Sequence, residues 1–341
     1  MAVSPRLQLW LIPSLLLSPL LAMPLLGAKS TASEVVCELR SSLPSYAQRG
    51  AAAVVTGGNS GIGKESVRAL LEAGCRVVLC SRDAEAGARS LAGLGVPAGR
   101  CRVQQLDLAD LSSVAAAADQ IRRTEGRVGL LLNNAGVMAT PRGQTKQGFE
   151  LQLGTNHLGH HALTRLLLPI MDDDGRVVTV ASSAHTMARV DTSDLFFARR
   201  KYTPWGAYGQ SKAANILFAK GLSDRLREAN SQILSVSLHP GVIGTPLWRH
   251  GNPALTWLIH RFILNKDVQQ GAATSLYASL ASGLPDGAYL SDCAVATPSA
   301  ACQDEDKQAR TALWEISERL LMEAGLSLPE QLVSSERGIH Q

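Results

Sequence analysis

Short apolar runs rich in β-branched residues alternate along this chain with longer segments patterned as helices. The runs are nearly continuous in apolar residues, which is typical of parallel strands covered by helices on both faces. The sequence therefore predicts an α/β fold with one doubly wound parallel sheet, whose ligands bind beyond the carboxyl ends of the strands. The predicted strands are Ala52–Val55, Arg76–Cys80, Arg102–Gln105, Val128–Leu132, Arg176–Ala181, Ile233–Leu238 and a short edge strand near Ala288–Leu290. The predicted helices include Lys64–Ala73, Asp110–Thr124, Gly148–Met171 and Ala207–Glu228.

Segments at both ends flank this single domain, which is expected to span residues 50–300. A hydrophobic segment (1–30) and a polar linker (31–49) precede it, and residues 301–341 add a polar tail and a helix, Lys307–Ala324, expected near the substrate entrance. With 45% hydrophobic residues, the 341-residue chain has ample apolar side chains for a core. Its net charge of +4 is small and scattered, so no nucleic-acid partner is expected.

The N-terminal segment contains 22 consecutive uncharged residues, Leu7 to Ala28, and ten of them are Leu. A helix of that length can cross a bilayer core of roughly 30 Å. A secretory signal with Arg6 as its basic n-region and cleavage at Ala28 or Ala32, which would make the protein secreted, is one alternative, and a buried apolar arm is another. A membrane anchor or signal-anchor through residues 7–28 is the favoured interpretation.

Cysteines and histidines do not indicate a metal site. The six cysteines show no C-x-x-C spacing, which predicts neither a disulfide framework nor a zinc site and fits a cytosol-facing domain. His157, His160 and His161 could share a helix face, but no Cys or carboxylate accompanies them, so no metal is expected. The acidic run Asp172-Asp173-Asp174-Gly175 is expected to be a solvated helix end and turn.

The first predicted strand runs directly into a glycine-rich loop, and a helix follows it. Glycines at such a turn let the backbone approach a pyrophosphate, which the free N–H groups at the helix N-terminus hold. The sequence therefore predicts a Rossmann-type dinucleotide site. The loop reads Thr56-Gly57-Gly58-Asn59-Ser60-Gly61-Ile62-Gly63, and the expected contacts are Gly57, Asn59, Ser60, Gly61, Ile62 and Gly63.

Residues after the next strands are expected to complete the cofactor site. Ser81 and Arg82 stand where an acidic residue would favour NAD, and a hydroxyl with a guanidinium suits the 2′-phosphate of NADP(H). Asp107-Leu108 close the third strand, and the carboxylate could accept the adenine amino group. The fourth strand ends in Asn133-Asn134-Ala135-Gly136, whose small residues allow close approach, so contacts are expected from Asn134, Ala135 and Gly136.

A phenol and an ammonium lie four residues apart in Tyr208-Gly-Gln-Ser-Lys212, and hence on one helix face. A free Tyr has a pKa of about 10, and a nearby cation favours the phenolate and lowers that pKa toward neutral pH. Tyr208 is therefore the candidate acid/base. Ser183 ends the fifth predicted strand and could hydrogen-bond a substrate oxygen, whereas Ser182 is expected to point to the other face.

Together these residues resemble the short-chain dehydrogenase/reductase family over about residues 50–300, with the motifs in order. The glycine-rich loop, the Asn133–Gly136 segment and the Tyr208/Lys212 pair look like the family's signature motifs. The resemblance implies that Ser183 orients the substrate and that Asn156 holds a proton-relay water. It also implies nicotinamide contacts from Pro240-Gly241-Val242-Ile243-Gly244-Thr245, with Thr245 near the carboxamide.

Within the family the chain looks most like the retinol dehydrogenase-like, NADP-preferring members. Such relatives often carry an N-terminal membrane anchor, which implies an endoplasmic reticulum location with a cytosol-facing domain. Two features depart from the pattern, a Pro-rich N-terminal segment and the basic stretch Arg199-Arg200-Lys201. The subgroup resemblance rests on Asn59, Ser81-Arg82-Asp83, Asn156-His-Leu-Gly-His160, Ser182-Ser183-Ala184-His185 and His239-Pro240-Gly241.

The resemblance implies hydride exchange at the nicotinamide between an alcohol and a carbonyl compound. Tyr208 would donate or remove the proton, Lys212 would hold the nicotinamide ribose, and Ser183 would fix the substrate oxygen. A later apolar region is interpreted either as ordinary core or as a lid over a bulky retinoid, sterol, polyprenoid or fatty aldehyde. The lid candidates are Trp248, Leu255, Trp257, Leu258, Phe262 and Ile263.

Three functional hypotheses follow. The leading one is an NADP(H)-dependent oxidoreductase that interconverts an alcohol and a carbonyl group on a lipophilic substrate, in the reducing direction. The alternatives are a reductase of a conjugated double bond in a pigment, and a non-catalytic, membrane-tethered NADPH-binding sensor or scaffold. Each of these hypotheses is compatible with a homodimer, and the motifs do not determine the oligomeric state.

Overall fold

The computed structural model describes residues 26–244 and 266–332, and its centre is one eight-stranded sheet. The strand order is β3-β2-β1-β4-β5-β6-β7-β8, with β1 to β7 parallel and β8 antiparallel to β7. The predicted single-domain, doubly wound parallel sheet is confirmed. The strands are β1 (Ala52–Thr56), β2 (Arg76–Ser81), β3 (Cys101–Gln105), β4 (Val128–Asn133), β5 (Met171–Val180), β6 (Leu234–His239), β7 (Tyr289–Ser291) and β8 (Ala294–Ala296).

Helices cover both faces of the sheet. Alternate residues of each strand face opposite sides, so Val54 and Leu131 pack on one face, and Val55 and Leu130 pack on the other. The helices are α1 (Ala32–Leu39), α2 (Ser45–Gln48), α3 (Gly61–Glu72), α4 (Ala84–Ala92), α5 (Leu111–Glu125), α6 (Leu151–Leu153), α7 (Gly159–Leu167), α8 (Pro204–Glu228), α9 (Val268–Leu280), α10 (Ala300–Gln303) and α11 (Gln308–Glu323).

The predicted strand boundaries agree with the structure to within one residue, except at β5, which begins at Met171 rather than Arg176. The helix predicted over Gly148–Met171 is interrupted by a π-helical turn at Gly154–Leu158 between α6 and α7, and a 3-10 turn follows α7. Strand β8 was not predicted, and it makes the edge of the sheet antiparallel.

The acidic run at 172–174 lies in β5, so the expected solvated helix end is wrong. Asp172 is buried, and its carboxylate pairs with Arg127 at 2.9 Å and Arg49 at 3.6 Å. Asp174 accepts a hydrogen bond from the backbone N–H of Tyr46 at 3.1 Å. Tyr46 of α2, Arg49 directly after it and Arg127 directly before β4 thus supply the donors that bring these carboxylates into the fold.

The segment predicted to be a linker, 31–49, instead forms α1 and α2 and packs into the core. Thr31 and Glu34 make a capping box at the start of α1, and Val35 and Val36 are fully buried against α3 and α9. Tyr46 is also fully buried and donates its hydroxyl to the carbonyl oxygen of Ser279. The short apolar face of α1 was too brief a pattern to predict this docking.

The predicted C-terminal helix corresponds to α11, which packs on α7 and α8. Trp314 stacks on Phe218 with ring centroids 5.8 Å apart, and Glu318 accepts from His161 at 2.7 Å and from Arg165 at 2.8 Å. No α11 residue lines the cavity described below, contrary to the position expected at the substrate entrance. Within residues 26–244 and 266–332, no helix is both long and apolar enough to cross a bilayer, and most of the predicted anchor lies outside that part of the chain.

Candidate active site

A cavity of about 540 Å³ opens at the carboxyl ends of the central strands, where the sheet order changes direction. Thr245 and the six lid candidates fall outside the described residues. Gly244 does not line the cavity, and the other predicted cofactor contacts do: Gly57, Asn59, Ser60, Gly61, Ile62, Gly63, Ser81, Arg82, Asp107, Leu108, Asn134, Ala135, Gly136, Tyr208, Lys212, Pro240, Gly241, Val242 and Ile243.

The glycine-rich loop forms one end of this cavity. Gly57 and Gly61 have φ angles of +66° and +52°, which favour glycine. A Cβ on Gly63 would lie 2.2 Å from the carbonyl oxygen of Gly57, so no larger residue fits. Ser60 begins α3 without a side-chain capping bond, so the first N–H groups of the helix are not capped by that side chain. These features fit a dinucleotide pyrophosphate.

The adjoining part of the cavity carries one exposed cation. Arg82 is exposed, whereas Ser81 is buried and donates its hydroxyl to the carbonyl oxygen of Asp83 at 2.7 Å. The Asp83 carboxylate caps α4 by accepting from the N–H of Ala86 at 3.0 Å. At the end of β3, Asp107 accepts from the N–H of Ala109 at 2.9 Å. This part of the cavity is therefore lined by the Arg82 guanidinium and by the Asp83 and Asp107 carboxylates, each of which accepts from a backbone N–H.

Tyr208 and Lys212 lie one turn apart on α8, both buried, at the other end of the cavity. The Lys212 ammonium lies 5.7 Å from the Tyr208 ring centroid and donates to the carbonyl oxygen of Val180 at 2.9 Å. Burial lowers the pKa of Lys212 to about 8. Burial raises the pKa of Tyr208 to about 12, although a hydrogen bond from Ser182 opposes this rise. In the protein alone, the phenol is therefore protonated at neutral pH and equipped to donate a proton.

Ser182 and Ser183 both lie at the Tyr208 end of the cavity, so the expectation that Ser182 points to the other face is wrong. Ser182 lies close enough to the phenol to lower the pKa of Tyr208. Ser183 is exposed at the cavity and donates its backbone N–H to His239 Nδ1 at 3.1 Å. Both serines line the cavity. Strand β5 ends at Val180, and Ser182 is the N-cap of a 3-10 turn, Ser183–Met187. The alternation of side chains expected from an extended strand therefore ends before the serines.

Asn156 does not line the cavity but lies directly behind its wall. Its side-chain oxygen accepts from the N–H of Val137 at 2.8 Å, and its amide donates to the Val137 carbonyl at 2.9 Å and to Ser211 Oγ at 2.9 Å. Asn156 sits within the π-helical turn, a feature frequent at functional sites.

The histidines serve separate contacts rather than a shared ligand set. His157 bonds Ser317, His160 bonds Thr56, and His161 bonds Glu318. His185 donates from Nδ1 to the carbonyl oxygen of Ser182 at 2.6 Å and accepts the N–H of Ser299 on Nε2 at 3.0 Å. Since the backbone partners fix both roles, His185 holds the loop that carries Ser182.

Several apolar residues near Tyr208 were not predicted for the site. The Trp205 ring meets the Tyr208 ring edge to face with centroids 6.0 Å apart, and the i, i+3 spacing of the two was an available signal. Trp205, Val137, Met138, Ala184 and Met187 line the cavity beside the phenol. Met138 and Met187 are distant from Tyr208 in sequence, so no spacing in the sequence predicts that they line this cavity.

Comparisons with known proteins give the same family. The chain is 39% identical to retinol dehydrogenase 11 of Homo sapiens over 315 residues, covering 90% of this chain and 95% of that protein. It is 38% identical to polyprenol dehydrogenase of Mus musculus over 290 residues, covering 80% and 84%.

Solved structures share the fold. An uncharacterised protein from Mycobacterium paratuberculosis superposes with a TM-score of 0.68 at 38% identity, covering 85% of this chain and 98% of that one. The RhlG/NADP active-site complex from Pseudomonas aeruginosa has a TM-score of 0.57 at 26% identity, covering 71% and 94%. Residues 51–255 match the short chain dehydrogenase family. The chain therefore belongs to the short-chain dehydrogenase/reductase family of NAD(P)-binding oxidoreductases.

Proposed function

We propose that this protein is an NADP(H)-dependent oxidoreductase that interconverts an alcohol and a carbonyl group on a lipophilic substrate, chiefly by reduction. The observation that carries the proposal is the buried pair Tyr208 and Lys212, with Ser182 on the phenol, at the end of a cavity that begins at the glycine-rich loop. A protonated phenol matches the proton donor that reduction of a carbonyl requires.

Each residue of the site is proposed to have a separate role in cofactor binding, substrate orientation or proton transfer. The bound dinucleotide would supply or accept the hydride, and the loop from Gly57 to Gly63 would hold its pyrophosphate. Ser182 would donate to the substrate oxygen and Tyr208 would protonate it as negative charge develops. Lys212, fixed by the Val180 carbonyl, would hold the nicotinamide ribose with its other N–H donors and restrain the Tyr208 pKa. Asn156 would hold the relay water.

The preference for NADP(H) is proposed from Arg82. Its guanidinium suits a 2′-phosphate, while the nearest carboxylate, on Asp83, is occupied with capping α4. Replacing Arg82 by Asp should weaken NADPH binding by about 10- to 100-fold, the value of charge-assisted hydrogen bonds, and leave NADH binding equal or tighter. Arg89→Ala is the matched control, because Arg89 is an exposed cation on α4 that does not line the cavity. Equal NADPH affinity in all three proteins would exclude this role for Arg82.

The lipophilic substrate class is supported by the apolar wall formed by Val137, Met138, Ala184, Met187 and Trp205. It is also supported by the names of two relatives, a retinol dehydrogenase and a polyprenol dehydrogenase. A wall of this kind favours an aldehyde or ketone attached to a long or bulky hydrocarbon.

Membrane attachment through residues 7–28 is proposed from their uncharged, Leu-rich sequence, with the domain facing the cytosol at the endoplasmic reticulum. Alkaline extraction of membranes from expressing cells, followed by a protease protection assay, tests both statements. Removal of residues 1–25 should release the protein. Recovery in the medium of protein that lacks the N-terminal segment would instead support a cleaved signal. Light scattering of the purified protein measures its oligomeric state and tests whether it is a homodimer.

Turnover with a matched variant tests the central proposal. Full-length protein in detergent is assayed for NADPH oxidation with retinal, a steroid ketone, a polyprenal and medium-chain aldehydes, beside Tyr208→Phe. Aldehyde or ketone turnover that Tyr208→Phe abolishes, while cofactor fluorescence shows unchanged NADPH binding, supports the proposal. Turnover of conjugated pigments alone selects a double-bond reductase. Tight NADPH binding without turnover of any compound selects the sensor or scaffold.

A further inference from the structure

His160 lies on α7, fully buried, between two residues that hold the cavity wall. Its Nε2 lies 2.9 Å from Thr56 Oγ1, and its Nδ1 lies 2.9 Å from the carbonyl oxygen of Asn156. Thr56 Oγ1 in turn accepts the backbone N–H groups of Asn134 and Ala135, each at 2.9 Å. The imidazole therefore bridges the end of β1 and the π-helical turn.

These contacts fix which ring nitrogen carries the proton. A hydroxyl oxygen has two acceptor sites, and the N–H groups of Asn134 and Ala135 occupy both on Thr56. The Thr56 hydroxyl therefore has no acceptor site left for an N–H of His160, so Nε2 is unprotonated. The hydroxyl hydrogen can be donated to His160 Nε2 at 2.9 Å or to the Leu132 carbonyl at 3.4 Å, and the contact with Nε2 is the shorter one. Nδ1 then carries the hydrogen and donates to the Asn156 carbonyl, which can only accept. The ring is neutral, in agreement with the burial that lowers the pKa of His160 to about 4.

The bridge joins the two anchors of one stretch of cavity wall. Thr56 holds the stretch at Asn134 and Ala135, and Asn156 holds it at Val137 through both backbone groups. Among the hydrogen bonds of the described residues, Thr56 and Asn156 are linked to each other only by the His160 side chain. A shift of α7 relative to β1 would therefore change the width of the cavity beside the cofactor contacts.

We propose that His160, held as the neutral Nδ1–H tautomer by Thr56, is a positioning residue that sets the Asn134–Val137 wall and the Asn156 carbonyl for catalysis. The proposal rests on the proposed oxidoreductase function. It assigns two separable roles: the Thr56 contact governs cofactor affinity through the wall at Asn134 and Ala135, and the Asn156 contact governs turnover through the position of the π-helical turn that holds Val137.

Direct observation of the tautomer tests the first step without any activity. Two-bond ¹H–¹⁵N spectra of ¹⁵N-histidine-labelled protein at neutral pH, assigned by the signal lost in His160→Gln, should show the Nδ1–H form of His160. Thr56→Val should change that pattern, because Nε2 loses its donor. An Nε2–H or charged ring in the unmodified protein would overturn the proposal, even if no substrate is known.

Three substitutions separate the two roles. His160→Gln can keep an acceptor for Thr56, His160→Asn can keep a donor for the Asn156 carbonyl, and His160→Phe removes both. We expect kcat to fall by about tenfold in the Gln and Phe proteins and by less than about threefold in the Asn protein, as for one lost hydrogen bond. We expect the Kd for NADPH to rise by about tenfold in the Asn and Phe proteins and to stay within about threefold in the Gln protein.

The matched control is His157→Phe, since His157 is equally buried on the same segment but bonds Ser317 of α11 instead of the site. It should lower the melting temperature and leave kcat and the Kd for NADPH within about twofold of the unmodified protein. Equal changes in kcat and Kd across all three His160 variants, in proportion to their loss of stability, would make His160 an ordinary core residue. Failure of the unmodified protein to turn over any substrate would refute the proposed function instead. The tautomer measurement would still show whether His160 bridges Thr56 and Asn156.

Discussion

Replacing each of the two adjacent serines by alanine gives the sharpest test of the site. Ser182 lowers the pKa of the Tyr208 phenol, and Ser183 is exposed at the cavity that both serines line. Ser182→Ala removes a donor to the oxygen at which charge changes during reaction. Ser183→Ala removes only the Ser183 hydroxyl. The backbone N–H of this residue, which donates to His239, is kept.

The size of the effect follows from the charge on the acceptor. A hydrogen bond to a charged group contributes about 1.5–3 kcal/mol, which corresponds to a factor of about 10 to 150 in rate. We therefore expect Ser182→Ala to lose about 10- to 150-fold in kcat/KM and Ser183→Ala to lose less than about threefold. Ser182→Ala should also raise the pKa of Tyr208 further, because the bond from Ser182 now lowers it.

Steady-state kinetics of both proteins with one carbonyl substrate and NADPH, across neutral to alkaline pH, measure these effects. For the reverse oxidation, the alkaline rise in rate should move to higher pH in Ser182→Ala only. NADPH affinity serves as the control and should match the unmodified protein. The melting temperature of Ser182→Ala should fall by only about 2–4 °C, because the lost cap of the Ser183–Met187 turn contributes about 1 kcal/mol. A larger loss of kcat/KM in Ser183→Ala than in Ser182→Ala would refute the geometric reasoning.

Three further predictions concern the cofactor loop and the flanking helices. Gly63→Ala places a Cβ 2.2 Å from the Gly57 carbonyl oxygen, so NADPH binding by fluorescence should weaken at least about tenfold. Tyr46→Ala empties a fully buried site and should lower the free energy of unfolding in urea by about 3–5 kcal/mol. Burial would raise the pKa of Glu318, but His161 and Arg165 lower it below its usual value, so its stabilisation is lost as pH falls. Glu318→Gln should accordingly show a smaller drop in melting temperature between about pH 5 and pH 3, and an equal drop would disprove this.

Local spacing made much of the fold and the site predictable. The Gly57–Gly63 loop, the Asn134–Gly136 segment and the Tyr208/Lys212 pair are each set within one element, and they meet because parallel strands end at one edge. The continuous apolar runs located the strands to within one residue, except at β5. These features depend on short-range backbone geometry, which neighbouring residues determine.

The errors arose where contacts distant in sequence decide the structure. The side chain that meets Tyr208 depends on where β5 ends and a 3-10 turn begins, a boundary that periodicity does not resolve. The Asp172 and Asp174 carboxylates enter the sheet because Arg49, Arg127 and Tyr46 supply donors. The contact between His160 and Thr56 joins residues 104 positions apart, and no local pattern encodes it.

The His185 side chain ties the Ser182 loop to Ser299, a residue 114 positions further along the chain. A shortened relative that ended with β8 would still contain the glycine-rich loop, both serines, Tyr208 and Lys212. It would lack the N–H that holds the imidazole, and the Ser182 carbonyl would lose its fixed partner. Intact signature motifs are therefore not sufficient grounds to assign activity to a splice variant or a truncated homologue of this chain. The presence of a residue equivalent to Ser299 should be checked first.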